Sequence, residues 1–119
     1  MGGVLKGLKD EIDIKGHAKI SLGMGKTTNV TFTARFKKLT MKEAQAKIDR
    51  VNSPNHDDDT TDVIREDLIE WRDMVGEGGE VEFNEDNLDS VLNHVEYTAA
   101  FFDCWGKAQL GTQLANVKN

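Results

Sequence analysis

The chain has very little cysteine and proline, no long apolar run and no excess of basic residues. Its single cysteine, Cys104, excludes an internal disulfide framework and fits a reducing cytoplasm. Because Cys104 lies in the apolar run AAFFDCW, we expect a small buried side chain there rather than a nucleophile. No stretch approaches the ~20 apolar residues that cross a bilayer. The first residues, MGGVLKGLKDE, lack the apolar centre of a signal peptide. We therefore expect a cytoplasmic protein.

The charge balance excludes another group of partners. The 119 residues include 15 basic and 21 acidic side chains, which give a net charge of −6. Generic binding to nucleic acid or to an anionic membrane needs clustered lysine and arginine. The basic residues of the N-terminal third are spread out, so we expect solvated surfaces there and neither nucleic acid nor membrane as a partner. The length favours one domain.

Two alternating segments predict an antiparallel β-hairpin over residues 12–38. From Ile12 to Leu22 apolar residues occupy every second position, which is typical of a half-buried strand. The same alternation runs from Val30 to Phe36, in a segment rich in β-branched and aromatic residues. Two such strands joined by a short glycine-rich segment predict a hairpin.

The connection, SLGMGKTT at Ser21–Thr28, has the residue types of a phosphate-binding loop. The pattern G-x-x-x-x-G-K-[ST] needs a glycine five positions before Gly25, and that position is Ile20. A phosphate-binding loop must also open a helix, whereas a predicted strand follows here. We therefore interpret this stretch as a hairpin turn.

Helical patterns follow the hairpin. The predicted helices span 40–51, 60–75, 84–95 and 97–116, with an exposed loop at 52–59. Thr40 and Glu43 have the spacing of a capping box, and Asn84 is a good cap for the third helix. The segment NHVEYT has no clear break, so the last two helices could be one. The predicted fold is α+β: an N-terminal antiparallel hairpin followed by three to four helices in a single domain.

The apolar faces of the two middle helices follow from spacing. The second carries a stripe of Ile64, Leu68, Trp71 and Val75. The inner face of the third is Leu88, Val91, Leu92 and Val95.

No motif indicates chemistry. HDDD at His56–Asp59 lacks the glycine and glutamate that an EF-hand loop starting at Asp57 needs at its sixth and twelfth positions. The three histidines are far apart, and no serine or cysteine has a recognisable catalytic partner. We predict no catalytic residue, no cofactor and no metal site.

The stretch from Ile64 to Asn119 carries an ordered set of motifs. A predicted helix with Trp71 leads into GEVEF, a capped helix begins at Asn84, and the last helix runs to a terminal Lys118-Asn119. This order and spacing resembles the tail assembly chaperones of long-tailed bacteriophages, in their short, non-frameshifted form. The hairpin followed by FKKLTMKEAQAKI fits the same family, so the resemblance covers about 85 residues in all, a length within one domain.

The resemblance implies a chaperone and not an enzyme. Tail assembly chaperones coat the tape measure protein, a long hydrophobic helical chain, and keep it soluble until tail tube subunits polymerise around it. Many also exist as a frameshifted longer form that contacts the tube subunits. The expected partners are thus the tape measure protein, the tail tube protein through such a longer form, and further copies of the chain. The expected location is the host cytoplasm, with the protein absent from the mature virion.

The last predicted helix supplies the candidate partner-binding residues. An apolar surface with anchors at i, i+3 and i+4 spacing holds a helical partner. The candidates are Tyr97, Phe101, Phe102 and Trp105. Core packing is the alternative for each, favoured for Phe101 and evenly balanced with an interface for Phe102.

Two other functions stay open at this point. One is a structural tail or head–tail joining component that remains in the virion. The other, less favoured, is a small nucleotide-binding protein that uses the loop around Lys26.

Overall fold

The predicted hairpin forms half of an antiparallel sheet. The structure is a computed structural model that describes residues 10–53, 59–76 and 78–111. Its four-stranded sheet has the order β1-β2-β3-β4. The strands are β1 (Glu11–Gly23), β2 (Lys26–Lys37), β3 (Leu68–Gly76) and β4 (Gly79–Glu80). The chain is a single domain of the α+β class, as the sequence predicts.

A two-residue turn joins β1 to β2. Met24 and Gly25 form it, with φ angles of 52° and 77°. Positive φ at both central positions is what the tight turns of hairpins require, and glycine adopts it without a steric cost. The glycines of SLGMGKTT therefore belong to a hairpin turn, as predicted, and a strand follows them.

Four helices lie within the described residues, and side-chain caps precede the first and the third. They are α1 (Met41–Asn52), α2 (Asp59–Asp67), α3 (Glu85–Leu92) and α4 (Val95–Leu110). Thr40 and Glu43 make the predicted capping box, since each side chain accepts a hydrogen bond from the other residue's backbone N–H. The Asn84 side chain caps α3 by accepting from the N–H of Asn87 at 2.8 Å. Asn93 and His94 separate α3 from α4.

The predicted helix 60–75 is wrong beyond Asp67. The chain leaves α2 there and continues as strand β3, paired along β2. Register shifts at two places in this pairing put an extra residue into β3 each time. The buried residues are consequently Leu68, Trp71 and Met74, three positions apart instead of two. A spacing of three is close to the repeat of about 3.6 residues in an α-helix, which is why the sequence pattern predicted a helix here.

Other boundaries also differ from the prediction. Val95 was expected on the inner face of the third helix, but it begins α4 and is 76% exposed. The helix predicted at 97–116 starts at Val95 and ends at Leu110, and residues 112–116 lie outside the described residues. Within the predicted loop 52–59, residues 54–58 also lie outside them.

One face of the sheet carries the core. The even-numbered side chains of β1 and β2 point towards the helices, and α4 packs across both strands. Phe32, Ala34 and Phe36 are almost fully buried on this face. Gly16 allows the close approach, because a Cβ atom there would meet the ring of Phe32 and lie 2.6 Å from Cys104 Sγ. The odd-numbered side chains form the opposite, polar face of the sheet.

Candidate partner-binding surface

Two of the four candidate aromatic residues belong to the core. Phe101 has no exposed surface and stacks on Phe32, with ring centroids 4.4 Å apart. Trp105 is 1% exposed, and its Nε1 donates a 2.7 Å hydrogen bond to Asp67 Oδ2. Neither side chain offers surface to a partner in this conformation.

The other two candidates are partly exposed and lie apart. Phe102 stacks on Trp105, with centroids 5.4 Å apart and the rings nearly parallel. Tyr97 lies beside His94, with ring centroids 6.1 Å apart, and burial raises the pKa of its hydroxyl. Five residues correspond to about 140° of rotation around a helix. Tyr97 and Phe102 therefore face different sides of α4, and the four aromatics do not form one surface.

An apolar stripe on the outer side of α4 does form one surface. We call it the α4 stripe; its members are Val95, Ala99, Phe102, Gly106 and Leu110. The steps between them are four, three, four and four residues, which keeps them on one helix face. Val95 and Ala99 are exposed, and the other three are partly exposed.

The shape of the α4 stripe suits a second helix. Ala99 and Gly106 are small and flank the larger Phe102 along the helix. A Cβ atom placed on Gly106 would meet no atom of the described residues within 4 Å, so among them this position faces open space. Alternating small and large apolar residues let another helix approach closely and interdigitate.

Sequence reasoning missed most of this stripe for one reason. The predicted boundary at residue 95 assigned Val95 to the third helix and began the next helix at Tyr97. The i, i+4, i+7, i+11 spacing from Val95 to Gly106 is visible in the sequence once both are placed on one helix. Phe102 is the member common to the predicted and observed surfaces.

A groove lies beside β3. Trp71, Val81 and Phe83 contribute apolar surface to a groove of about 370 Å³. Trp71 Nε1 donates to the Val81 carbonyl at 2.8 Å, and the Trp71 and Phe83 rings meet edge to face at 4.9 Å. Carboxylates dominate the remaining lining, which consists of Glu70, Arg72, Asp73, Glu80 and Glu82. The tryptophan is 3% exposed and serves mainly as a packing residue.

Asp67 organises a polar cluster that is structural. It is 2% exposed and lies where α2 gives way to β3. One carboxylate oxygen accepts from Trp105, and the other is 2.8 Å from Lys47 Nζ. Lys47 is also 3.0 Å from Glu66, and despite the cost of desolvation these carboxylates raise its pKa. Both carboxylate oxygens of Asp67 thus have a partner, and the cluster joins α1, α2 and α4.

The polar face of the sheet carries a second charge network. Asp13 accepts hydrogen bonds from Arg35 Nε and Arg72 Nη2, each at 2.9 Å. The bond from Arg35, with that from Arg72, holds the pKa of Asp13 below its ordinary value. Arg35 also lies 3.5 Å from Glu70. Three strands are thereby linked on the solvent side.

The described residues show no cluster typical of a metal site and no reactive thiol. Within 10–53, 59–76 and 78–111, no three histidine, cysteine or acidic side chains are placed to hold a metal ion. His56, from the HDDD motif, lies outside those ranges. Burial raises the pKa of Cys104 to about 11, so its thiol stays protonated at neutral pH.

None of the helices in the described part of the chain is both long enough and apolar enough to cross a membrane.

Comparison with protein-family models, curated proteins and solved structures found no match to this chain.

Proposed function

We propose that this protein is a tail assembly chaperone of a phage or prophage, which binds the tape measure protein and keeps it soluble during tail tube assembly. The observation that carries the proposal is the α4 stripe. It is an apolar helix face on the outside of the molecule, and its residues have the i, i+4, i+7 spacing with which helices bind apolar helical partners. A tape measure protein, being long, helical and hydrophobic, is a partner of that chemistry.

Charge supports the same role. The chain has a net charge of −6, and Glu96, Asp103 and Lys107 flank the α4 stripe on the next part of the helix surface. A chaperone that covers an apolar chain must itself stay soluble, and a net negative charge favours that.

The motif order of the C-terminal half supports the family resemblance in part. The Asn84 cap, the short α3 and a longer final helix follow one another as in the motif order of those chaperones. Trp71 differs, because the resemblance implies a tryptophan on a helix and Trp71 lies on β3. The proposal therefore depends on α3 and α4 more than on the segment before them.

The proposed role carries further expectations from the family. A frameshifted longer form would contact the tail tube protein. The chaperone would act in the host cytoplasm and be absent from the mature virion.

Co-expression tests the proposal directly. The tape measure protein from the same genome is expressed with and without this chain, and its soluble fraction is measured. We expect the soluble yield to rise several-fold and the two proteins to elute together from a sizing column. A tape measure protein that stays insoluble in both cases, with this chain eluting alone, would overturn the proposal.

Purified virions separate the chaperone from the structural alternative. Mass spectrometry of intact particles should detect the tube and tape measure proteins without this chain. Its presence at a fixed stoichiometry would identify a tail or head–tail joining component instead.

A further inference from the structure

Strand β1 forms one long edge of the sheet. It is 13 residues long and lies at the end of the sheet order. Asp10 accepts from the N–H of Lys38 at 2.7 Å, which shows that even-numbered residues turn their backbone groups towards β2. Ser21, at an odd-numbered position, instead donates its N–H away from β2, to Glu96 Oε2 at 3.3 Å. The odd-numbered residues before it therefore present N–H and C=O groups outward.

No strand of the described residues pairs with this outer edge. A row of free backbone donors and acceptors is a template for another strand. A two-fold pairing of β1 with a second β1 uses the same edge of both copies, so it joins two sheets and closes there without growth into a fibre.

The charges along β1 indicate what kind of strand can pair with its outer edge. On the polar face the order is Glu11, Asp13, Lys15, His17, Lys19, so the first part is acidic and the later part basic. A parallel copy would place like charges side by side, which is unfavourable. An antiparallel copy reverses the order and sets acid against base. The strand is thus complementary in charge to itself.

We propose that two copies of this chain pair antiparallel through their β1 edges, with the two-fold axis at Ile14. In this register Asp13 faces the Lys15 position of the second copy, Glu11 faces His17, and the two Ile14 side chains meet on the helix-covered side. About eight hydrogen bonds would join the strands, two for each outward-facing pair. A register centred on Lys15 is less favourable because it opposes two lysines at the axis.

The same pairing would also bury apolar surface on the helix-covered side of the sheet. Ile12 and Ile14 are partly buried on that side and pack against the core from the sheet edge. A second β1 would cover the surface that they leave exposed. This inference concerns self-association and is independent of the tape measure partner.

Sedimentation velocity of the full chain over a range of concentrations tests the dimer. We expect a monomer–dimer equilibrium, and Lys15→Glu should raise its dissociation constant about tenfold or more, because two attractive pairs become repulsive. Lys26→Glu, at the exposed hairpin end of β2, makes the same change in net charge and should leave the equilibrium unchanged. A wild-type monomer at all concentrations, or an oligomer equally stable in Lys15→Glu, would overturn the proposal.

Disulfide formation tests the register and does not depend on charge. Directly opposite residues of a non-hydrogen-bonded pair lie about 4.5 Å apart at Cα, which is within disulfide range. Ile14→Cys should therefore form a covalent dimer under mild oxidation. Ile20→Cys is the matched control, since Ile20 is also half-buried on β1 but lies beyond the paired segment. Equal cross-linking of both variants, or of neither, would contradict this interface.

Discussion

At the scale of single residues, α4 packs closely against β1 at Gly16. Gly16 leaves room for the Phe32 ring and for Cys104 Sγ, and a side chain there would displace both. Cys104 is 1% exposed in this layer, which explains why its thiol is held protonated. Both residues are therefore parts of the packing between helix and sheet.

Gly16→Ala should destabilise the fold by about 1–3 kcal/mol, the usual cost of overpacking a filled core. Gly106→Ala is the matched control, because its new methyl group meets open space and alanine favours a helix over glycine by about 1 kcal/mol. Urea unfolding followed by circular dichroism measures both. Similar effects of the two substitutions would contradict the packing described at Gly16.

Cys104 should resist alkylation in the native protein at neutral pH. Its pKa of about 11 leaves almost no thiolate, and burial excludes the reagent. Mass spectrometry after iodoacetamide treatment should show an unmodified chain, and the same treatment in denaturant should modify it fully. Rapid native labelling would show that α4 does not pack on the sheet as described.

At the scale of elements, the sequence predicted those parts whose signals are local. The hairpin follows from alternation on both sides of a glycine turn, and α1 and α3 follow from the caps Thr40 and Asn84. β3 could not be predicted in this way, because two bulges space its buried side chains by three. The bulges depend on pairing with β2, which is a tertiary contact.

The α4 stripe was missed for a related reason. Its detection needs the start of α4 at Val95, and the preceding His94 makes no side-chain capping bond that would mark that start. Burial of Phe101 and Trp105 also depends on how α4 lies across the sheet. A list of aromatic residues on a helix cannot distinguish the packed side from the open one.

The capping box of α1 gives a test at this scale. Thr40→Ala should destabilise the protein by about 1 kcal/mol, because the N–H of Glu43 loses its acceptor. Lys42→Ala, an exposed change in the same helical turn, should change stability by less than about 0.5 kcal/mol. Thermal unfolding of the two variants beside the wild type measures the difference. Equal stability of both variants would show that the cap contributes nothing.

At the scale of the whole molecule, the core lies between the sheet and the helices, and two features lie outside it. One is the apolar α4 stripe, and the other is the outer edge of β1. The helices cover one face of the sheet, and the charge network of Asp13 and Arg35 keeps the other face polar. The α4 stripe remains on the outside of the helix layer, and the β1 edge remains at the side of the sheet. We propose the stripe as the site for an apolar helix and the edge as the site for a second copy.

The central claim is that the α4 stripe binds the tape measure protein, and paired surface variants test it most directly. Val95→Glu and Gly106→Glu each place a charge on the stripe without disturbing the core, since Val95 is 76% exposed and Gly106 faces open space. Val75→Glu makes the same change on β3, at a side chain that is 54% exposed.

The measurement is the soluble yield of tape measure protein co-expressed with each variant. The account predicts that both stripe variants lose most of the gain in solubility and no longer co-elute with the tape measure protein, while Val75→Glu behaves as the wild type. The claim would be contradicted if Val95→Glu and Gly106→Glu, shown to be folded by circular dichroism, raised the soluble yield as much as the wild type.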